Sequence, residues 1–153
     1  MAIVQDVFND APAKGYPGMV RNGETSNRIS RTVEDAAGIA FGRFAFRGAG
    51  DHGCTATPAA GKVLGVTIAD HGVVPLPGGV AADIYPQYST AGIMGGGSID
   101  VVAGVNVADG DPVFVTPAGV ITNVDGGGPN IRAGTWEFDE TVAAGGIVGV
   151  VRR

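Results

Sequence analysis

The fold of this chain is decided by VVAGVNV (101–107), PVFVT (112–116), GVITNV (119–124), IRAGTWEF (131–138) and GIVGVVRR (146–153). Each run is rich in β-branched or aromatic residues, and glycine, aspartate or proline separates it from the next. Such runs at short spacing predict antiparallel strands joined by tight turns. No break between them carries a recognisable catalytic set. The stretch therefore predicts a rigid β module, which more often binds another protein than performs chemistry.

Length and composition predict one domain. A chain of 153 residues is long enough to bury about two thirds of its unfolded surface. Hydrophobic residues make up 44% and charged residues only 16%, a low charge density that suggests a surface partly covered by something other than water. The 27 glycines and 9 prolines are spread among β-branched runs, which is typical of turns and bulges.

The charges are unevenly distributed. The net charge of −5 argues against general nucleic-acid binding, which depends on cations that meet phosphates. Residues 1–50 contain six cations and five anions, whereas residues 51–153 contain four cations and ten anions. An arginine-bearing leading segment on an acidic body is typical of an arm that docks on a partner. Solvated charges on a loop are the open alternative.

Cys54 is the single cysteine, so no internal disulfide is expected. The first fifteen residues lack the basic and apolar regions of a signal peptide, and every apolar run is too short for a membrane helix. These features predict a protein that is soluble and intracellular when it is made.

Residues 1–26 are predicted to form an extended arm, and residues 27–153 a β domain. Closely spaced prolines and glycines prevent a sustained ladder or helix in the arm, and a tight turn is expected at Tyr16, Pro17 and Gly18. Removal of residues 1–26 is expected to leave a folded body but to abolish binding to the partner.

The middle of the chain is predicted to alternate strands and loops. Residues 27–48 favour two strands joined by EDAAG, although Thr32 and Asp35 could instead open a short helix. Residues 48–61 are expected to form a loop, KVLGVTIAD (62–70) a strand, HGVVPLPGGV (71–80) an edge or connection, and IYPQYST (84–90) a strand start. The glycine runs 95–97 and 126–128 predict mobile hairpin connections.

Two Asp-His-Gly tripeptides, at 51–53 and 70–72, suggest chemistry. If their loops converged, His52, Cys54 and His71 with one aspartate could hold zinc. Ordinary turn chemistry explains the same pattern. Cys54 and His52 also form a local pair of a nucleophile and a base, but the residues around Cys54 do not match the nucleophile elbow of a hydrolase. A packing role for Cys54 is the alternative.

Acidic and aromatic residues near the end of the chain have ordinary explanations. Asp109 and Asp111 flank a turn glycine, and Glu137, Asp139 and Glu140 form a solvated or partner-facing acidic patch rather than an acid/base pair. Trp136, Phe138 and Phe114 are assigned to the inward face by alternation.

The segments ISRTVEDAAGIAFGRFAFRG with GDHGC, KVLGVTIADHG, VADGDPVFVTPAGVITNV and AAGGIVGVVRR are similar to the structural cement proteins of tailed bacteriophages. The resemblance extends from about Tyr16 to the end. It implies a non-enzymatic capsid decoration protein with a β-barrel, β-tulip or jelly-roll core and no cofactor. It also implies binding to the major capsid protein on the outer capsid surface of the virion, after synthesis in the host cytoplasm. A homo-oligomer is implied, with a trimer favoured over a dimer.

The sequence therefore predicts an all-β, single-domain capsid cement with an N-terminal arm that binds neither nucleic acid nor membrane. The predicted capsid contacts are Tyr16, Met19, Arg21, Arg28 and Arg31, followed by Arg43 and Arg47. Two alternatives stay open: another virion β module, such as a head fibre or tail component, and a small metal-dependent enzyme using His52, Cys54 and His71.

Overall fold

The computed structural model describes residues 14–21, 25–73 and 82–153. Every regular element in these residues is a β-strand, which confirms the all-β prediction. The strands of the described part are β1 (Asn27–Val33), β2 (Ile39–Ala40), β3 (Phe44–Arg47), β4 (Gly53–Thr55), β5 (Val63–Thr67), β6 (Ile84–Tyr85), β7 (Thr90–Val102), β8 (Pro112–Val115), β9 (Ile121–Thr122), β10 (Ile131–Phe138) and β11 (Ile147–Arg152).

Five of the strands close into a barrel. The main sheet has the order β1-β4-β3-β5-β7-β11-β10-β8-β9, and a further pairing of β1 with β7 closes its first five strands. The other four strands continue the sheet beyond β7. All pairings in the main sheet are antiparallel except that of β1 with β4, which is parallel. The barrel form of the prediction is confirmed, and β2 and β6 form a separate pair.

Strand β7 belongs to both halves of the fold. Residues 90–96 pair with β1, whereas residues 97–102 pair with β11. The change of partner falls at Gly96 and Gly97, and Gly97 has a φ of 116°, which a residue with a Cβ rarely adopts. The predicted hairpin break at residues 95–97 is therefore wrong. These glycines lie inside one continuous strand. They let the strand bend from the barrel into the second sheet.

Gly65 allows β5 to approach β7 closely. Its φ is 148°, and a Cβ added there would collide with the Met94 carbonyl oxygen. The pairing of β3 with β5 also shifts register next to this residue, as expected for a bulge. The pairing of β5 with β7 therefore contains a position that only glycine can occupy without displacement of the backbone.

The buried side chains of the described residues form two clusters on opposite faces of the barrel wall. The barrel strands supply Val33, Ala45, Cys54, Leu64 and Ile93 to the inner cluster. Because side chains alternate along a strand, their neighbours on β3 and β5 point outward, towards the second sheet. Phe44 meets Trp136 there edge to face, with ring centroids 5.8 Å apart.

Alternation assigns two of the three late aromatic residues correctly. Trp136 and Phe138 are fully buried, as predicted. The assignment of Phe114 is wrong, since Val113 and Val115 carry the buried face of β8. Phe114 is half-buried on the opposite face, where the Arg132 guanidinium carbon lies 5.4 Å from its ring centroid.

The middle of the chain is more ordered than predicted. EDAAG does join two strands, and the helix suggested at Thr32 does not form. The expected loop 48–61 contains β4, which pairs with both β1 and β3. The expected strand start at 84–90 is limited to β6, because a turn over residues 86–89 precedes β7. Part of the connection at 71–80 lies outside the described residues. The described residues contain no helix long and apolar enough to cross a membrane.

Candidate functional site

The leading segment, residues 14–21, is hydrogen-bonded to β7. The Met19 amide donates to the Tyr16 carbonyl at 3.0 Å, and Gly18 has a φ of 84°, so the expected Tyr16-Pro17-Gly18 turn forms with glycine at its left-handed position. The Gly18 amide donates to the Asp100 carbonyl at 2.7 Å, and the Asp100 amide donates to Met19 at 2.9 Å. The segment thus covers the edge of β7 that faces away from β11.

Four charged side chains bind the leading segment to the body. The Arg21 Nε donates to Asp100 Oδ1, and its Nη1 donates to Glu140 Oε1. Lys14 Nζ lies 3.5 Å from Glu140 Oε2 and donates to the Ile147 carbonyl at 3.2 Å. A Cβ added at Gly149 would collide with the Arg21 side chain, so a glycine in β11 makes room for the guanidinium. We call these residues, Lys14, Arg21, Asp100 and Glu140, the charge cluster.

Burial and ion pairing act in opposite directions on the two acids of the charge cluster. Burial raises the pKa of the Asp100 carboxyl above its ordinary value, against the opposing effect of Arg21. Hydrogen bonding from Arg21 lowers the pKa of Glu140. The Asp100 side chain is fully buried, whereas that of Glu140 is 34% exposed. Arg21 therefore offsets the free-energy cost of burying the Asp100 carboxylate, because an unpaired charge at that position would destabilise the fold.

An apolar groove of about 660 Å³ lies beside the Tyr16 turn. Three of the large apolar side chains that are exposed in the described residues, Tyr16, Val102 and Val120, line it. Arg43 stands at the groove and donates through Nη1 to the Gly119 carbonyl at 2.7 Å. His71 packs edge to face on Tyr16, and its Nε2 shares a 3.1 Å hydrogen bond with the phenol.

The structure does not bring the predicted metal ligands together. Within residues 14–21, 25–73 and 82–153, no group of three or more histidine, cysteine or acidic side chains is placed to hold a metal ion. His52 and His71 are exposed on different loops, whereas Cys54 is fully buried in the inner cluster. Burial, with Asp35 and Glu34 nearby, raises the pKa of the Cys54 thiol to about 11. Cys54 is thus a packing residue rather than an activated nucleophile.

Turn chemistry explains both Asp-His-Gly tripeptides. The Gly72 amide donates to Asp70 Oδ1 at 2.8 Å, the local bond expected of aspartate in a turn. Asp51 and His52 occupy the corners of a turn closed by the Gly53 amide on the Gly50 carbonyl at 3.0 Å. Both tripeptides therefore shape loops.

Acidic side chains of the EDAAG turn hold the neighbouring loops. The Glu34 carboxylate accepts bonds from the Ala49 and Gly50 amides at 2.7 and 2.8 Å, and these bonds lower its pKa. Asp35 accepts from the Thr55 hydroxyl at 2.7 Å and from the Ala56 amide at 2.6 Å. These carboxylates fix the end of the barrel.

The later carboxylates do not form an acid/base pair either. Asp111 Oδ2 accepts from the Ala108 amide at 2.9 Å and from Asn123 Nδ2 at 2.6 Å, which lowers its pKa. Glu137 is exposed, and Asp139 lies 3.5 Å from Arg153 Nη1. They belong to turns and to the surface of the second sheet.

The model of the structural cement protein family (E217 gp24/Pam3 gp6) matches residues 4–152. This chain belongs to that family. A chain in the solved capsid of Myoviridae phage XM1 shares its fold, with a TM-score of 0.70, 19% identity and coverage of 99% of this chain and 97% of that one. The N base of the bacteriophage phi29 head fiber gp8.5 aligns over 84% of this chain and 95% of its own, at 14% identity and a TM-score of 0.47. No curated protein sequence matches the chain.

The predicted contact residues of this cement protein fall into three groups. Tyr16, which is 44% exposed, and Arg43 line the groove. Arg28, Arg31 and Arg47 lie on the barrel strands β1 and β3, where Arg28 and Arg47 are exposed and Arg31 is half-buried. The Arg21 guanidinium is directed towards the body, and the Met19 backbone bonds to β7. The assignment of all seven residues as capsid contacts stays a prediction.

One exposed aromatic residue of the cement protein was missed by sequence reasoning. Tyr88, between β6 and β7, is 78% exposed and has a φ of 65°. Its polar surroundings in PQYS gave no pattern to mark it, because backbone conformation cannot be inferred from composition. Asp100 and Glu140 were also missed as partners of Arg21, and Lys14 as a second partner of Glu140. The uneven distribution of cations and anions along the sequence indicated only that the leading segment and the body attract each other.

Proposed function

We propose that the chain binds the outer surface of an assembled phage head and bridges neighbouring subunits of the major capsid protein. The observation that carries this proposal is the match to the structural cement family over residues 4–152. A closed barrel with a second packed sheet provides a stiff body, as a cement requires. The capsid fold neighbour supports a structural role in the phage particle.

Exposed cations and the Tyr16 groove form the proposed contact surface. The side chains of three arginines, Arg28, Arg43 and Arg47, are exposed. Their guanidinium groups can form bidentate hydrogen bonds with carboxylates. Tyr16 adds an aromatic anchor next to an apolar groove. Met19 and Arg21 belong to the proposed contacts and also hold the Tyr16 turn in place, because the Met19 carbonyl accepts from the Asp100 amide and the Arg21 guanidinium bonds to Asp100 and Glu140.

Symmetry supplies the strength of binding in this proposal. The protein acts as a homo-oligomer, with a trimer favoured over a dimer, so that several modest contacts operate together. Linked contacts raise overall affinity far above that of a single one. No cofactor is required for such a role.

Binding to isolated heads tests the proposal. Purified protein is titrated onto heads that lack it, bound protein is measured by co-sedimentation, and the heads are imaged. Saturable occupancy at one class of symmetry position and greater resistance of the heads to heat are expected. Arg43→Ala and Arg47→Ala are expected to weaken binding, whereas Lys62→Ala, which removes another exposed cation, serves as the matched control.

The position of the protein in the virion separates this function from that of another virion β module. Labelled protein on intact particles is expected to mark the head shell. Label confined to the tail or to fibres would contradict the proposal, as would the absence of saturable binding to heads.

A further inference from the structure

Tyr88 has an unusual combination of exposure and backbone conformation. Its side chain is 78% exposed, the largest value among the exposed large hydrophobic residues of the described chain. Its φ of 65° lies in the left-handed region, where a bulky side chain is disfavoured by contact with its own backbone. Folding alone would favour glycine or asparagine there. Strained residues of this kind are found at functional sites.

The turn that carries Tyr88 is fixed on both sides. The Tyr88 amide donates to the Val33 carbonyl at 2.8 Å, and the Val33 amide donates to the Ser89 carbonyl at 3.0 Å. Gln87 Nε2 donates to the Glu34 carbonyl at 3.0 Å, and the Ser89 hydroxyl donates to the Pro86 carbonyl at 2.7 Å. The turn is thus attached to the end of β1. A partner that binds the ring would lose little free energy to ordering it.

We infer that Tyr88 is an anchor residue through which the chain contacts a protein of the phage head, an inference that rests on the proposed function. A rigid tyrosine supplies apolar area together with a hydroxyl that can hydrogen-bond, and tyrosine is enriched among residues that dominate protein interfaces. Thr32 and Thr90, which pair across β1 and β7, are both exposed at this end of the barrel. They add uncharged hydroxyl groups beside the turn.

The chemistry around Tyr88 favours a head protein over other partners. Nucleic-acid stacking needs cations beside the ring, and Pro86, Gln87 and Ser89 carry no charge. A second copy of the chain would bind better at an extended apolar surface. The described residues next to Tyr88 form no such surface, since Thr32, Gln87 and Thr90 are polar.

Substitutions that remove the ring and relieve the strain test the inference. Tyr88→Asn and Tyr88→Gly are expected to keep or raise the melting temperature, because both residues tolerate a positive φ. Their affinity for isolated heads is expected to fall at least about tenfold, as for an interface anchor. Tyr88→Phe keeps the ring and is expected to stay within about threefold of the wild type. Val124→Ala, at a side chain that is 52% exposed elsewhere, is the matched control and should bind normally.

The outcomes separate the inference from the function on which it rests. Failure of the wild-type chain to bind heads would contradict the proposed function. Normal binding by the wild type and by both strain-relieving variants would overturn the role of Tyr88 alone. Light scattering provides the third arm: if Tyr88→Asn dissociates an oligomer of the free chain, the ring contacts a second copy and the assignment to a head protein is wrong.

Discussion

Arg21 donates through Nε to the fully buried carboxylate of Asp100, 79 residues further along the chain. This contact joins the leading segment to the second-sheet half of β7, near the end of the strand that the barrel and the second sheet share. A charge that sequence analysis assigned to a partner is therefore neutralised within the molecule. The cation of the segment and the acid of the body are complementary parts of one fold.

Arg21→Ala is expected to destabilise the protein by about 3 kcal/mol, because it leaves the Asp100 carboxylate buried without a counter-charge. Urea unfolding followed by tryptophan fluorescence measures the change, since Trp136 is fully buried. Arg28→Ala, at an exposed arginine, should change stability by no more than about 0.5 kcal/mol. Asp100→Asn should recover part of the loss in the Arg21→Ala background. Equal effects of the two alanine substitutions would contradict this account.

The two acids of the charge cluster are expected to respond to pH with opposite signs. The pKa of Glu140 is lowered from 4.5, so its stabilisation is present above that pH and is lost as pH falls through the folded-state pKa. The pKa of Asp100 is raised from 3.8, so its contribution is present below 3.8 and is lost as pH rises through the folded-state pKa.

Single substitutions separate these contributions. Between pH 6 and pH 3, Glu140→Gln should reduce the fall in unfolding free energy relative to the wild type, and Asp100→Asn should increase it. The difference between Glu140→Gln and the wild type is expected to stay under about 1 kcal/mol, because Glu140 is partly exposed and solvent screens its ion pair. Urea midpoints measured across this range check the prediction, and parallel pH profiles for all three proteins would refute it.

Sequence patterns predicted the local structure well and the long-range structure poorly. Period-2 alternation placed Trp136 and Phe138 in the core, because side-chain direction follows directly from strand geometry. The same rule was misapplied to Phe114, since β8 presents its valines inward. The change of partner within β7 was missed because consecutive glycines occur both in turns and at bends within strands.

The candidate site was predictable only in part. The arginine-rich leading segment and the acidic body were visible in the sequence, yet Asp100 could not be identified as a partner of Arg21. That pairing depends on the register between residues 18–21 and β7, a contact between residues 79 positions apart that local composition does not determine. Tyr88 escaped notice for a related reason, since its significance depends on a positive φ.

Gly65→Ala is expected to destabilise the barrel by about 3–5 kcal/mol, through left-handed strain and collision with the β7 backbone. A Cβ at this position would meet the Met94 carbonyl. Gly61→Ala is the matched control, because Gly61 also has a positive φ, of 70°, yet has nothing within 4 Å of its added Cβ. It should cost only about 1–2 kcal/mol. Chemical denaturation of both variants checks the comparison, and equal losses would show that packing against β7 is unimportant.

Cys54 is expected to resist thiol reagents in the folded protein. Its side chain is fully buried and its pKa is raised to about 11, so at pH 8 only about one thiol in a thousand is ionised. Labelling by a thiol-reactive dye should be slow in buffer and rapid in denaturing urea. A fast, stoichiometric reaction of the native chain would show that the inner cluster opens readily or that the thiol is activated.

Two truncations test how the leading segment contributes to the body. Removing residues 1–21 eliminates Lys14 and Arg21, together with the hydrogen bonds of Gly18, Met19 and Arg21 to β7. The expected loss is at least about 4 kcal/mol, from an unpaired buried carboxylate and several lost hydrogen bonds. Removing residues 1–13 retains all of these contacts and should give a higher urea midpoint. If the shorter truncation folds as stably as the wild type but loses binding to heads, residues 1–13 contribute to capsid contact. Equal stability of the two truncations would instead show that the arm is dispensable for folding up to residue 21.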